Sequence, residues 1–258
     1  MEPASVSSSF DLAQIALYLF WIFFAGLIYY LQREAQREGY PVEVDGPNPG
    51  RFRAKSLLFY PPPKTFKLPD GTTRLVPDGV ADTRPIAGKP TSRLPGTPLE
   101  PNSAAPLADG IGPGAWAERA DKPDLTTALT PRIVPMRVAT TYATASRDPD
   151  PRGFPVVGCD GATGGTVVDI WVDRSEHLAR YLEVETTGKR RILLPITFSV
   201  LKSFPNRVHV EAITGAQFEG VPGTAKPDSV TLREEDRICG YYGAGTLYAT
   251  PDRVEPLL

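Results

Sequence analysis

The sequence predicts a single-pass membrane protein with three structural parts: one N-terminal transmembrane α-helix, an extended proline-rich segment, and a mainly-β cytoplasmic domain with a C-terminal helix. Three observations support this prediction: an uncharged apolar run near the N-terminus, a concentration of prolines after it, and short β-type runs between turns in the second half. The predicted boundaries are 1–11 for the segment outside the membrane, 12–32 for the transmembrane helix, 33–131 for the extended segment and 132–258 for the cytoplasmic domain.

The apolar run covers residues 12–31, which contain no charged side chain and a single strongly polar one, Gln14. As an α-helix, a run of this length crosses a hydrocarbon core of about 30 Å. A cleavable signal peptide is the alternative, but it has basic residues before a shorter apolar run. Here the first basic residue is Arg33, after the run. We therefore interpret the run as an uncleaved membrane anchor.

The charged residues around the anchor predict its orientation. Glu2 and Asp11 precede the helix, whereas Arg33 and Arg37 follow it. Because basic residues flanking a transmembrane helix stay on the cytoplasmic side, the N-terminus is expected outside and the rest of the chain in the cytoplasm.

Four side chains of the anchor are predicted to contact lipid or partner proteins: Trp21, Tyr29, Tyr30 and Arg33. Amphipathic aromatic rings favour the membrane interface. The small pair at residues 25–26 also permits close approach of another membrane helix. Hydropathy leaves both kinds of contact open.

The segment after the anchor is rich in proline, with 17 of the 28 prolines between residues 41 and 131. Proline opposes both helix and sheet interiors, so an extended chain is predicted. Aromatic and aliphatic residues recur along it, which favours order against a partner surface; isolated disorder is the alternative. A short hairpin is predicted at Thr65–Val76 around Pro69-Asp70-Gly71.

The second half has the pattern of a small sandwich or barrel. Glycine-containing turns separate short β-type runs. A helix is predicted to begin near Thr231, since Thr231 and Glu234 have the spacing of a capping box, and to end at Gly243. The predicted strands are Ile133–Thr141, Pro155–Cys159, Thr166–Asp173, Tyr181–Thr186, Arg190–Pro195 and Val208–Ile213.

The composition excludes several classes of function. The net charge is −2, with 28 basic and 30 acidic residues, so no nucleic-acid partner is predicted. Two cysteines and two histidines are too few for a disulfide scaffold or for most metal centres. The sequence lacks a G-x-S-x-G motif and a phosphate-binding loop, and we predict no independent catalytic site.

One acidic patch suggests chemistry. On a strand, Asp169, Trp171 and Asp173 share a face, and a helical turn after the strand would make Glu176 and Arg180 neighbours. Such carboxylates can pass protons, with the arginine balancing their charge. The alternative is structural: Asp173 caps a helix with Glu176 as its partner, and Glu176–Arg180 is an ordinary surface pair.

Long, collinear stretches spread over almost the whole chain resemble the H subunits of purple-bacterial photosynthetic reaction centres. These stretches are Phe10–Ala13, Phe20–Leu31, Arg37–Pro41, Pro63–Phe66, Gly112–Trp116, Val168–Asp173 and Glu234–Tyr241.

The resemblance implies a subunit of the bacterial inner (intracytoplasmic photosynthetic) membrane, with a periplasmic N-terminus and a small reaction-centre-type barrel in the cytoplasm. Such a subunit caps the L and M subunits, shields the secondary quinone and helps deliver protons to it. It binds no cofactor alone; the complex carries bacteriochlorophyll, bacteriopheophytin, quinones, non-haem iron and carotenoid. Core light-harvesting antenna polypeptides and a phospholipid such as cardiolipin are further implied partners.

The resemblance also assigns roles to the acidic patch. Glu176 matches a glutamate near the secondary quinone, Asp173 a relay aspartate and Arg180 the arginine beside them; Asp169 completes the predicted proton-transfer set. Some relatives carry an aspartate and histidines where this chain has Leu125–Thr130, which offers neither. The proton entrance is therefore expected to differ.

Two other functions are compatible with the residues. One is a membrane-anchored adaptor whose barrel binds another protein without a role in proton transfer. The other is a membrane-tethered enzyme that uses the Asp173–Glu176 pair, which the poor supply of nucleophiles disfavours.

Overall fold

The computed structural model describes residues 12–35, 37, 62–76, 85–94 and 96–254. The chain divides into two compact units, Met1–Arg84 and Pro85–Leu258. The predicted outer segment, residues 1–11, lies outside the described residues, as does much of the proline-rich segment before residue 85.

The first unit contains the predicted membrane helix, α1, at Leu12–Ala35. It is long and apolar enough to cross a membrane, and none of its residues is buried within the chain. Its polar Gln14 donates a side-chain hydrogen bond to the Tyr18 hydroxyl at 2.9 Å, one turn further on. The helix continues three residues past the predicted end at residue 32.

The predicted hairpin in the first unit is confirmed. Strands β1 (Lys64–Lys67) and β2 (Thr73–Val76) pair antiparallel, with Phe66 opposite Arg74. The turn between them uses Gly71 at φ +82°, a left-handed conformation that glycine adopts without a steric penalty.

The second unit is built on a seven-stranded sheet. Strands β3 (Gly88–Pro90) and β4 (Leu99–Pro101) form a separate small hairpin. The main sheet has the order β10-β11-β6-β7-β8-β9, with β5 pairing on β7; β11 and β6 are parallel and the other pairs antiparallel. Its strands are β5 Ile133–Pro135, β6 Pro155–Val157, β7 Thr163–Asp173, β8 Leu178–Thr186, β9 Arg191–Pro195, β10 Val200–Ser203 and β11 Asn206–His209.

Two predicted strands extend four or more residues beyond the observed ones. The strand predicted at Ile133–Thr141 stops at Pro135, because the backbone then turns and the N–H groups of Val138 and Ala139 donate to the Pro135 carbonyl. The strand predicted at Val208–Ile213 is the second arm of the β10–β11 hairpin and ends at His209. The mainly-β class is confirmed.

The second helix, α2, covers Leu232–Tyr248 and its predicted capping box is present. The N–H of Thr231 donates to Glu234 Oε2 at 2.8 Å, and the N–H of Glu234 donates to Thr231 Oγ1 at 3.2 Å. The predicted end at Gly243 is wrong. A Cβ at Gly243 would overlap the carbonyl oxygen of Pro113, so this glycine permits close helix packing and does not end the helix.

The core lies between the sheet and α2. Six large side chains are fully buried there. They come from β7, β8, β9, the loop before α2 and α2 itself: Trp171, Leu182, Leu194, Phe218, Ile238 and Tyr242. Residues 85–131, which are predicted to be part of the extended segment, belong to this compact unit. A short 3-10 turn at Gly112–Gly114 packs on α2, and Arg237 lies 5.3 Å from the Trp116 ring centre.

Candidate functional site

Asp173 is the last residue of β7, and its side chain is completely buried. The antiparallel pairing of β5 with β7 places Ile133 opposite Asp173, so that Arg132 reaches the carboxylate. Arg132 Nε lies 3.0 Å from Oδ1 and 2.8 Å from Oδ2. Oδ1 also accepts the backbone N–H groups of Ser175 and Glu176 at 2.8 and 2.9 Å. The Asp173 carboxylate is therefore bound both by Arg132, next to β5, and by the turn that follows β7.

The chain after Asp173 forms a single turn and does not continue as a helix. Residues 174–177 form a turn between β7 and β8, in which the N–H of His177 donates to the Asp173 carbonyl and His177 has φ +56°. Asp173 thus caps a strand-connecting turn, where its side chain competes for backbone N–H groups as aspartate does in Asx-turns.

Arg180 reaches Glu176 by a different geometry from the one predicted. It lies in β8 as the extra residue of a bulge, because Trp171 pairs with Tyr181 and Val172 with Ala179. Arg180 Nη1 lies 3.9 Å from Glu176 Oε2, across the turn. The predicted pair is present, although it is not one turn of a helix.

Arg132 binds three carboxylates at once. Its guanidinium lies 3.1 Å from Asp124 Oδ2, donates to Glu176 Oε1 and contacts Asp173. Asp173 is buried, whereas the side chains of Asp124 and Glu176 are about half exposed. We call Asp124, Arg132, Asp173, Glu176 and Arg180 the Arg132 cluster. It links a buried carboxylate to two that reach the surface.

The arginine controls the charge of Asp173. Burial acts to raise the pKa of Asp173, but Arg132 and the backbone N–H groups of Glu176 and Ser175 outweigh it and hold that pKa below its usual value. The hydrogen bond from Arg132 to Asp173 in turn raises the pKa of Arg132. At neutral pH both groups are charged, and Asp173 is a fixed anion beside the exposed carboxyl of Glu176.

Asp169 lies in a second group of charges. Arg137 Nη1 is 3.1 Å from Asp169 Oδ2 and also donates to Glu183 Oε2. Glu183 Oε2 accepts the indole N–H of Trp171 at 2.9 Å, and Arg137 Nη2 lies 3.1 Å from Asp228 Oδ1. We call these five residues the Arg137 network. The structure therefore groups Asp169 and Trp171 together and does not bring Asp169 into the Arg132 cluster.

Sequence reasoning missed the two arginines and Glu183. Arg132 and Arg137 flank the short strand β5, and each faces a carboxylate of β7. A register for the β5–β7 pair would have identified both, because antiparallel pairing fixes which residues meet.

The predicted contact residues of the anchor lie along α1. Trp21, Tyr29 and Tyr30 are exposed and Arg33 is partly buried. Trp21 is halfway along the helix, where its ring lies 5.5 Å from Phe20, and not at an end. Contacts with lipid or partners stay predictions for all four residues.

Within the described residues, no group of three histidine, cysteine, aspartate or glutamate side chains is arranged to hold a metal ion. His177 Nδ1 lies 2.7 Å from the Tyr142 hydroxyl, and His209 Nε2 lies 3.1 Å from Glu211 Oε2.

An exposed apolar helix followed by a mainly-β domain is the architecture of a membrane-anchored protein with a single span. Residues 4–138 match the family described as photosynthetic reaction centre, H-chain N-terminal region, and residues 143–217 match the PRC-barrel domain. Because the first match covers more than half of the 258 residues, the chain belongs to the reaction-centre H-chain family. It is a single-pass membrane protein of photosynthesis that associates with other reaction-centre subunits.

Proposed function

We propose that this subunit caps the cytoplasmic face of the L and M subunits, shields the secondary quinone from bulk water and helps deliver protons to it. The N-terminus lies in the periplasm and the second unit in the cytoplasm, in the bacterial inner (intracytoplasmic photosynthetic) membrane. The bacteriochlorophylls, bacteriopheophytins, quinones, non-haem iron and carotenoid are held by the partner subunits. This chain contributes charged and apolar surface.

The Arg132 cluster is the observation that carries this proposal. Delivery of protons to a buried quinone needs a carboxyl group that exchanges protons, close to a fixed charge that steadies it. Glu176 is half exposed and bound by Arg132, and its backbone N–H is bound by the ionised Asp173. Glu176 is therefore the proton-exchanging group, and Asp173 and Arg132 position it.

Asp124 is the proposed solvent end of the route. It lies in the Arg132 cluster, 3.1 Å from Arg132 Nη1. Asp121, the other carboxylate near this surface, binds Arg233 and the Thr231 hydroxyl instead. The turn at Leu125–Thr130 offers hydroxyl groups, with Thr126 Oγ1 and Thr130 Oγ1 2.9 Å apart. We therefore assign the entrance to Asp124, because it shares Arg132 with Asp173 and Glu176 and Asp121 does not.

Apolar side chains near the Arg132 cluster support a partner on this surface. Leu125 follows Asp124 directly, Leu129 is in the same turn and Leu178 lies two residues after Glu176; all three are exposed. Their burial against the L and M subunits would remove water from around Glu176, as a protected quinone requires.

The anchor supplies the remaining proposed contacts. The exposed rings of Trp21, Tyr29 and Tyr30, with Arg33, contact membrane helices of the complex, core light-harvesting antenna polypeptides or a phospholipid such as cardiolipin. Arg33, with Tyr29 and Tyr30 one turn before it, suits an anionic headgroup at the cytoplasmic end of the helix.

Replacement of Glu176 by glutamine in the assembled complex tests the proposal. Glutamine keeps the shape but does not titrate, so flash-induced transfer of the second electron to the quinone should slow by about tenfold or more. Primary charge separation among the pigments should not change. Glu118→Gln is the matched control, since its side chain is 45% exposed against 47% for Glu176 and also pairs with an arginine, Arg233.

A normal second-electron rate in Glu176→Gln from about pH 6 to 9 would contradict the proton-delivery role. If the protein purifies from native membranes without pigment and with unrelated partners, the membrane-anchored adaptor is favoured instead. Co-purification with near-infrared pigments and with L and M subunits supports the reaction-centre role.

A further inference from the structure

The turn that carries Glu176, at residues 174–177, has an uncommon backbone conformation at its last residue. His177 has φ +56°, in the left-handed region that residues with a side chain adopt infrequently. Such a conformation carries a steric cost and persists where neighbouring contacts enforce it. The backbone N–H of His177 donates to the Asp173 carbonyl at 2.8 Å, which fixes one side of the turn. The contacts of the His177 side chain fix the other.

Tyr142 makes those side-chain contacts. Its hydroxyl oxygen lies 2.7 Å from His177 Nδ1, and the two rings stack with their centres 5.9 Å apart. The same hydroxyl lies 3.5 Å from the carbonyl oxygen of Arg174, the first residue of the turn. Among the residues that the structure describes, the imidazole has no other hydrogen-bond partner. Tyr142 thus contacts both ends of the turn, and Glu176 lies between them.

Tyr142 is itself placed by the fold. Its ring is half-buried and packs against the hydrophobic core, whereas the His177 ring is exposed. Its backbone N–H donates to the Ala139 carbonyl at 3.0 Å, in the turns that follow β5. Because a ring packed against a close-packed core has few alternative positions, the contact restricts His177 more than it restricts Tyr142.

The contact between the two rings survives protonation of the imidazole. When Nδ1 of His177 carries no proton, the Tyr142 hydroxyl donates to it. When the ring is protonated, the Nδ1–H donates to the hydroxyl oxygen, and the hydroxyl proton can turn toward the Arg174 carbonyl. The turn is therefore supported over the whole pH range in which second-electron transfer is measured.

We propose that Tyr142 is a positioning residue for Glu176. It fixes the turn through His177 and so holds the Glu176 carboxyl beside Arg132. Because the Glu176 side chain is about half exposed, its position depends strongly on the backbone of the turn. This inference rests on the proposed proton-delivery function and adds to it a residue from outside the Arg132 cluster.

Replacement of Tyr142 by phenylalanine in the assembled complex tests the proposal. Phenylalanine keeps the ring stack and the core packing but lacks the hydroxyl, so flash-induced transfer of the second electron should slow about two- to fivefold. Tyr241→Phe is the matched control, because the Tyr241 hydroxyl also forms a hydrogen bond within the second unit, to the Gln217 carbonyl at 2.8 Å, away from the Arg132 cluster. That variant should have a normal rate.

A double-mutant cycle shows whether Tyr142 acts through Glu176. In Glu176→Gln the titrating carboxyl is already lost, so the addition of Tyr142→Phe should cause no further slowing. A merely structural role of the tyrosine predicts the same fold-loss of rate in both backgrounds.

His177→Gly provides a rescue of the conformation itself. Glycine adopts the left-handed region without a steric penalty, so a turn that ends in glycine does not need the Tyr142 hydroxyl to hold it. The double variant Tyr142→Phe/His177→Gly should therefore recover most of the rate that Tyr142→Phe loses. Loss of stability elsewhere in the domain would not be repaired by this change.

The proposal is overturned if Tyr142→Phe has a normal rate, if its fold-loss is unchanged in the Glu176→Gln background, or if His177→Gly restores nothing. Failure of the proposed function is distinct, since it gives a normal rate in Glu176→Gln itself. A slow Glu176→Gln complex together with a normal Tyr142→Phe complex would leave proton delivery in place and remove Tyr142 from it.

Discussion

The Arg132 cluster and the Arg137 network are both built on an arginine–carboxylate ion pair, but they differ in how many of their carboxylates are buried. In both, an arginine that flanks β5 binds a buried carboxylate of β7. In the Arg137 network a second carboxylate, Glu183, is also buried and accepts the Trp171 indole N–H, whereas the third, Asp228, is half exposed. In the Arg132 cluster the other carboxylates, Asp124 and Glu176, are half exposed. The Arg137 network thus buries two of its three carboxylates, and the Arg132 cluster buries only one of three. We therefore expect proton exchange in the Arg132 cluster and a structural role for the Arg137 network.

The largest expected effect is on stability, in Arg137→Met. Loss of this arginine leaves Asp169 and Glu183 buried without their main partner, which should cost about 3–5 kcal/mol in the free energy of unfolding. Arg132→Met should cost about half as much, because it leaves only one buried carboxylate, Asp173, without its arginine. Asp173 also keeps two backbone N–H donors.

Denaturant unfolding of the full-length chain in detergent measures both costs. Tryptophan fluorescence is a suitable signal, since Trp171 is buried within the Arg137 network. If Arg132→Met lowers the free energy of unfolding more than Arg137→Met does, the Arg137 network is not the main structural one.

A smaller effect is expected from acidification, through Asp173. Its folded-state pKa lies below the unfolded value, so its stabilising contribution is complete above about pH 5 and is lost as the pH falls through the folded-state pKa. Asp173→Asn lacks this contribution at every pH. The unfolding free energies of the two proteins should therefore converge in acid; a constant difference from neutral to acid pH would contradict the lowered pKa.

The smallest expected effect is that of zinc on electron transfer. Imidazole is the commonest protein ligand for zinc, and the turn at Leu125–Thr130 contains none. Micromolar zinc should therefore leave the second-electron rate nearly unchanged. Strong inhibition that disappears on replacement of His177 or His209 would show that a histidine from another part of the fold serves the entrance.

Local signals in the sequence predicted much of the fold. The anchor, the Thr65–Val76 hairpin and the Thr231–Glu234 capping box each depend on neighbouring residues, and the structure contains all three. The predicted helix end at Gly243 is wrong because this glycine packs against Pro113, which lies far away in sequence. Local spacing cannot reveal such a contact.

In the candidate site, too, contacts between residues close in sequence could be predicted and contacts between distant residues could not. Asp173, Glu176 and Arg180 are close in sequence and were predicted together, and they do meet. Arg132 organises them from another strand, and only the pairing of β5 with β7 reveals it. Asp169 was grouped with Asp173 because both are on β7, yet different arginines bind them.

The comparison of Asp173→Asn with Asp169→Asn tests the central claim most directly. Both variants remove one arginine-bound, buried carboxylate of β7, and both are measured in assembled complexes by the flash-induced rate of second-electron transfer to the quinone. We predict that Asp173→Asn slows this rate, increasingly so as the pH rises from about 6 to 9, and that Asp169→Asn leaves it normal. Equal slowing in both variants, or slowing in Asp169→Asn alone, would contradict the assignment of proton delivery to the Arg132 cluster.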